Sequence, residues 1–134
     1  MKDQVLSVSQ MSHLRDLGVD TSKASMCWLR EPNNHTQCEV FIHDDDCYEM
    51  SCLDPVPTFT LQDLLDELPH SITNDRLNGL TIEKLSNCWY VYYEVIGFIN
   101  KEVIKSIRRE TLLEAVYEML CYLAENKLLE KEGK

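Results

Sequence analysis

Cations, glycines, paired cysteines and long apolar runs are all scarce in this chain, and each shortage removes a class of function. Lys and Arg number 13 against 23 Asp and Glu, for a formal net charge of -10. A surface of that sign repels phosphate backbones, whose binding rests on Lys and Arg displacing condensed counterions, so direct nucleic-acid binding is disfavoured. The four glycines form no phosphate-cradling loop, and no Gly-x-Ser-x-Gly elbow occurs, which argues against nucleotide and serine hydrolysis. No uninterrupted apolar run reaches the ~18 residues a membrane helix needs, and the opening MKDQVLSVSQ has no apolar core segment, so neither insertion nor secretion is expected. The expected compartment is the cytoplasm, where the six cysteines stay thiols, and no Cys-x-x-Cys pair exists among them.

What is present suits one folded unit. The 134 residues are 44% hydrophobic and 27% charged, enough apolar material for a core without metal or disulfide support. The expectation is a single domain over 1–134 with a frayed charged tail from about 128 to 134.

Periodicity supplies the elements. Ser7 and Gln10 form a capping-box pattern ahead of Met11, Leu14 and Leu17 at helical spacing, and Gly18 stands where a left-handed stop belongs. SMCWLRE reads as a strand ending at the turn signal Pro32-Asn33-Asn34. Pro55 and Pro57 read as an extended linker, after which Thr60 caps a short helix with Asp63 in the box position and Leu61, Leu64, Leu65 and Leu68 as its stripe. Asp63, Asp66 and Glu67 read as its solvated face. A hairpin turning at Ser86-Asn87 is expected within GLTIEKLSNCWYVYYEVIG, and the strongest helix follows at ETLLEAVYEMLCYLAENKLLE, stopping at Asn126. The fold class is therefore α+β, an antiparallel sheet from two hairpins packed against about three helices in the order α-β-β-α-β-β-α.

The stretch CEVFIHDDDCYEMSC, residues 38–52, invites a metal assignment. Folding it back at Asp44-Asp45-Asp46 puts Cys38, Val40, Ile42, Tyr48, Met50 and Cys52 on one face and His43 and Cys47 on the other, because side chains alternate along a strand. Four ligands split between two faces cannot converge on one zinc ion, and adjacent aspartates without a glycine do not make a calcium loop. No metal and no cofactor is expected. Cys47 beside His43 is the candidate catalytic pair, since a nucleophilic thiol needs a base, but the aspartates beside it raise a thiol's proton affinity and a hairpin tip offers no oxyanion donors.

Binding candidates lie further on. Alternation places Trp89, Val91, Tyr93 and Val95 on one face of a strand and Tyr90, Tyr92, Glu94 and Ile96 on the other, where the two tyrosines make either a binding platform or plain sheet packing. Lys101, Lys105, Arg108 and Arg109 form a local basic cluster facing only Glu102, which reads as a solvated turn or as a contact for an acidic partner. The candidate binding residues are Tyr90, Tyr92, Lys105, Arg108 and Arg109.

LGVDTSKASM, PVPTFTLQDLLDELP and TLLEAVYEMLCYLAEN resemble segments of small uncharacterised proteins encoded in prophages and mobile elements of Bacteroides-type gut bacteria. The resemblance spans much of the chain and implies no assigned activity. The functional expectation is a non-catalytic acidic binding or accessory protein of a phage or mobile element, acting on a protein partner. The alternatives are a small enzyme with a Cys47/His43 site and a structural subunit forming a symmetric homodimer.

Overall fold

In a computed structural model, residues 4–31, 34–42, 54–72, 78–95 and 103–129 are described. They form three helices and two three-stranded antiparallel sheets, an α+β fold. The chain divides into two compact units, Met1–Asp63 and Leu64–Lys134.

The first unit starts with α1 (Val8–Asp16), whose capping box is formed as expected: the Ser7 hydroxyl accepts from the Gln10 N–H and the Gln10 side chain accepts from the Ser7 N–H. Its last turn closes through Gly18 at φ 90°, with the Gly18 N–H donating to Arg15 and the Val19 N–H to Leu14. These are the two bonds of a Schellman motif, and glycine is there because a left-handed backbone costs it no Cβ clash. Met11 and Leu14 are fully buried.

β1 (Met26–Glu31) pairs with β2 (Asn34–Ile42), and the expected turn residues Pro32 and Asn33 lie outside the described residues. On the other edge of β1 lies β3 (Asp54–Thr58), giving the order β2-β1-β3. The segment expected as a proline-enforced linker is thus a strand. Pro55 and Pro57 are two residues apart, so both missing N–H donors fall on the edge turned away from β1, where an antiparallel ladder does not need them. The register puts Trp28 across from both Val40 and Val56. Val5, Trp28 and Val56 form the core here, with Val8 and Met26 packed against it. One buried carbonyl of the N-terminal segment takes two bonds from this sheet: Leu6 O accepts from Trp28 Nε1 at 2.7 Å and from Thr58 Oγ at 2.6 Å. The expected pairing of 38–42 with 48–52 around Asp44-Asp45-Asp46 lies outside the described residues.

α2 (Leu61–Glu67) begins with the expected box, the Asp63 N–H donating to Thr60 Oγ and the Thr60 N–H to Asp63 Oδ2. The unit boundary falls between Asp63 and Leu64, inside this helix.

The second unit has the strand order β4 (Asn78–Lys84), β5 (Trp89–Val95), β6 (Val103–Arg109). Ser86 and Asn87 sit at the tip of the β4–β5 hairpin, closed by the Leu85 N–H donating to Cys88 at 2.8 Å. β6 occupies the stretch read as a solvated basic turn. Val103, Ile104 and Ile107 give it strand character, and Lys105, Arg108 and Arg109 are the charges an edge strand carries to discourage further pairing. α3 (Leu112–Glu125) packs on β5 and β6. It ends in a second Schellman motif after Asn126: the Lys127 N–H donates to Ala124 and the Leu128 N–H to Leu123, with Lys127 itself at φ 58°. Among the described residues no helix is long and apolar enough to cross a membrane.

Candidate binding surface

Register decides which side chains of the second sheet share a face. Tyr90 lies between Glu83 on β4 and Arg108 on β6, and Tyr92 between Thr81 and Ser106. Glu94 lies across from Gly79 and Val103, beside an irregularity between Tyr93 and Glu94. Paired residues of an antiparallel sheet point the same way, so these rows make one continuous face.

The alternate positions make the face that α3 covers. Val91, Tyr93 and Val95 are buried there, as the alternation implied, and the Tyr93 hydroxyl donates to the Pro69 carbonyl. Burial pushes the Tyr93 phenol well above its ordinary value. Lys105 and Arg109 belong to this side: Lys105 Nζ lies 4.5 Å from the centre of the Tyr122 ring of α3, and the Arg109 guanidinium forms an ion pair with Glu118 of α3 while also donating to the Arg108 carbonyl.

The five sequence candidates therefore divide. Tyr90, Tyr92 and Arg108 are brought together, whereas Lys105 and Arg109 are engaged with α3 on the reverse side. Tyr90 and Tyr92 have ring centroids 4.6 Å apart at an interplanar angle of 32°, and the Arg108 guanidinium lies 4.7 Å from the Tyr90 centroid. Arginine above a tyrosine that itself stacks on another is a cation–π arrangement extended by one ring. Tyr92 is buried, and its hydroxyl donates to Glu83 at 2.6 Å. That bond to Glu83, then burial and the nearby charges of Glu83 and Glu94, raise the Tyr92 phenol to about 12, opposed by a hydrogen bond with Thr81.

Glu83 and Thr81 were not found from sequence, because their place beside the tyrosines follows from cross-strand register. So does Lys84, whose ammonium lies 5.5 Å from the centre of the Trp89 ring. The described residues of the second unit thus hold three cation–π contacts, where roughly one per 70–80 residues is usual.

At the end of this sheet a shallow, open cleft of about 510 Å³ is lined by Asn87, Cys88, Arg108, Arg109, Glu110 and Glu114. No histidine is among the residues that line it with Cys88. Cys121 in α3 is buried, and burial pushes its thiol up, partly offset by a hydrogen bond with Tyr117 and reinforced by Glu125 and Glu118. A buried thiol with a raised proton affinity is a poor nucleophile. His43 and Cys47, the catalytic candidates, lie outside the described residues. Among the described residues no three His, Cys, Asp or Glu side chains gather as a metal site. His13 is in α1, His35 in β2 and His70 after α2, on three separate segments.

No protein-family model matches the chain, and neither a curated protein nor a solved structure does.

Proposed function

We propose that the protein is a non-catalytic accessory protein of a phage or mobile element that acts in the cytoplasm by binding another protein through the Tyr90–Tyr92–Arg108 face. The observation that carries this reading is the tilted Tyr90–Tyr92 ring pair with the Arg108 guanidinium over Tyr90, on the side of the sheet opposite α3. Tyr and Arg are the residue types enriched at the energetic centres of protein interfaces, because they offer large rigid contact area at small entropy cost. Stacking fixes these rings before any partner arrives, which lowers the ordering cost of association. The charge of -10 supports a protein partner over a nucleic acid.

The test compares what immobilised wild-type protein and a Tyr90→Ala/Arg108→Ala variant retain from a lysate of the producing cells. A protein kept by the wild type and lost by the variant is expected. Identical recovery from both sinks the assignment of the face.

A second reading, a symmetric homodimer through the β6 edge, is favoured by one observation: Val103 at the start of that strand is 43% exposed, an exposed large hydrophobic residue on an edge. Light scattering across concentration separates the two, since the dimer reading requires a mass that doubles.

A further inference from the structure

The charges on the tyrosine face are unevenly satisfied. Arg108 lies over Tyr90. The other cations of the sheet also have internal partners, Lys84 on Trp89, Lys105 on Tyr122 and Arg109 on Glu118. The carboxylates are treated differently. Among the described residues Glu83 accepts a phenol proton from Tyr92 and has no cationic partner. Glu94 is half-buried and faces Gly79, which puts no side chain beside it, and among the described residues no cation lies across from it. By register and alternation both carboxylates belong to the face that carries Tyr90 and Tyr92.

We propose that this face receives a lysine- or arginine-rich segment of a protein partner, whose cationic heads seat against Glu83 and Glu94 beside the Tyr90–Tyr92 pair. The inference rests on the binding reading above and names the chemistry of its partner. Charge selects a basic occupant over an acidic one. The face itself holds two carboxylates without a cationic partner among the described residues and one arginine already covering a ring. The molecule as a whole, at -10, draws cations toward it and slows the approach of anions. Spacing adds a constraint. Glu83 and Glu94 are separated by four residue steps along the ladder and one strand spacing, about 14 Å between backbones. An extended segment meets both when its basic residues are about four apart, at ~3.4 Å per residue.

The probe is fluorescein-labelled oligolysine, titrated by fluorescence anisotropy at low salt. Three proteins are compared: wild type, Glu83→Gln/Glu94→Gln, and Asp16→Asn/Glu125→Gln, which removes the same charge from exposed positions elsewhere. Two carboxylate–ammonium contacts of ordinary surface strength predict an affinity loss of about fivefold for the first pair and under about twofold for the second. Equal losses mean diffuse attraction alone and overturn the proposal, as does failure of the wild type to bind. Should the double variant lose its native circular dichroism, Glu94→Gln alone, which spares the Tyr92 bond to Glu83, carries the comparison with a loss of about twofold. If oligolysine binding fails while capture from lysate still depends on Tyr90 and Arg108, the basic partner is wrong and the binding face stands. If capture is indifferent to Tyr90 and Arg108, the face itself is wrong.

Discussion

Replacing Asp63 by alanine should cost this fold more than removing any ordinary surface carboxylate. One oxygen, Oδ2, accepts three hydrogen bonds: from the Thr60 N–H at 2.9 Å, the Ser25 N–H at 3.0 Å and the Ser25 hydroxyl at 2.7 Å. The residue therefore caps α2 and holds the chain just ahead of β1 to that cap. An N-cap interaction is worth about 1 kcal/mol and a hydrogen bond to a charged acceptor about 1.5–3 kcal/mol when sheltered. Ser25 is exposed and its donors can turn to water, so the combined loss for Asp63→Ala falls near 2 kcal/mol. In urea, with a slope of about 1–3 kcal/mol per molar, the midpoint should drop by roughly 1 M at neutral pH. Asp63→Asn keeps an acceptor without the charge and should lose about half as much.

Acid supplies the control. Burial works against the Asp63 carboxylate, but the backbone bonds from Thr60 and Ser25 and their hydroxyls outweigh it and hold the carboxyl below its ordinary 3.8. A group whose affinity for protons is lowered by folding stabilises above its unfolded value and loses that contribution as pH falls through its folded value. The gap between wild type and Asp63→Asn should thus be full at pH 6 and shrink below about pH 3.8. An Asp63→Ala midpoint within error of wild type, or a wild-type-to-Asn gap that ignores acid, would refute the account.

Three further outcomes follow from the same structure. Lys127 holds a left-handed backbone at the end of α3, so Lys127→Gly should raise stability by up to about 1 kcal/mol, while Gly18→Ala at the matching position of α1 should lower it by about 1 kcal/mol, both read from thermal melting. Trp28→Phe removes one of two donors to the buried Leu6 carbonyl and should cost about 1–2 kcal/mol in urea unfolding, whereas a neutral effect would mean that bond is not made. Tyr92 should titrate near pH 12 by ultraviolet absorbance, and Glu83→Gln should move it back toward 10, because loss of the adjacent charge removes most of what disfavours the phenolate. Whatever stability that raised value carries is present below pH 10 and lost as pH rises through about 12.

Local signals were legible where chain chemistry and structure act over the same few residues. The boxes at Ser7 and Thr60, the stop at Gly18, the Ser86-Asn87 tip and the burial of Val91, Tyr93 and Val95 are all of this kind, whereas the burial of Tyr92 on the opposite face is not given by alternation. β3 and β6 were hidden because Pro55, Pro57 and the Lys105–Arg109 charges read as breakers. Only their position at sheet edges makes those residues acceptable within strands. Asn126 was visible as the end of α3, but the left-handed residue is Lys127, which no propensity suggests. At the candidate site, the Tyr90–Tyr92 pairing could be read from alternation. The separation of Arg108 from Lys105 and Arg109 could not, since it depends on which side of the sheet α3 occupies.

The two prolines of β3 also limit how this protein can fail. A stray extended chain approaching the outer rim of that strand finds no amide hydrogens at positions 55 and 57, and the stretch just beyond is already occupied by the Leu6 N–H donating to Phe59 and the Val5–Thr60 bridge. Pairing of further copies onto this rim therefore lacks two of its ladder donors and is disfavoured, without any charge that high salt could mask.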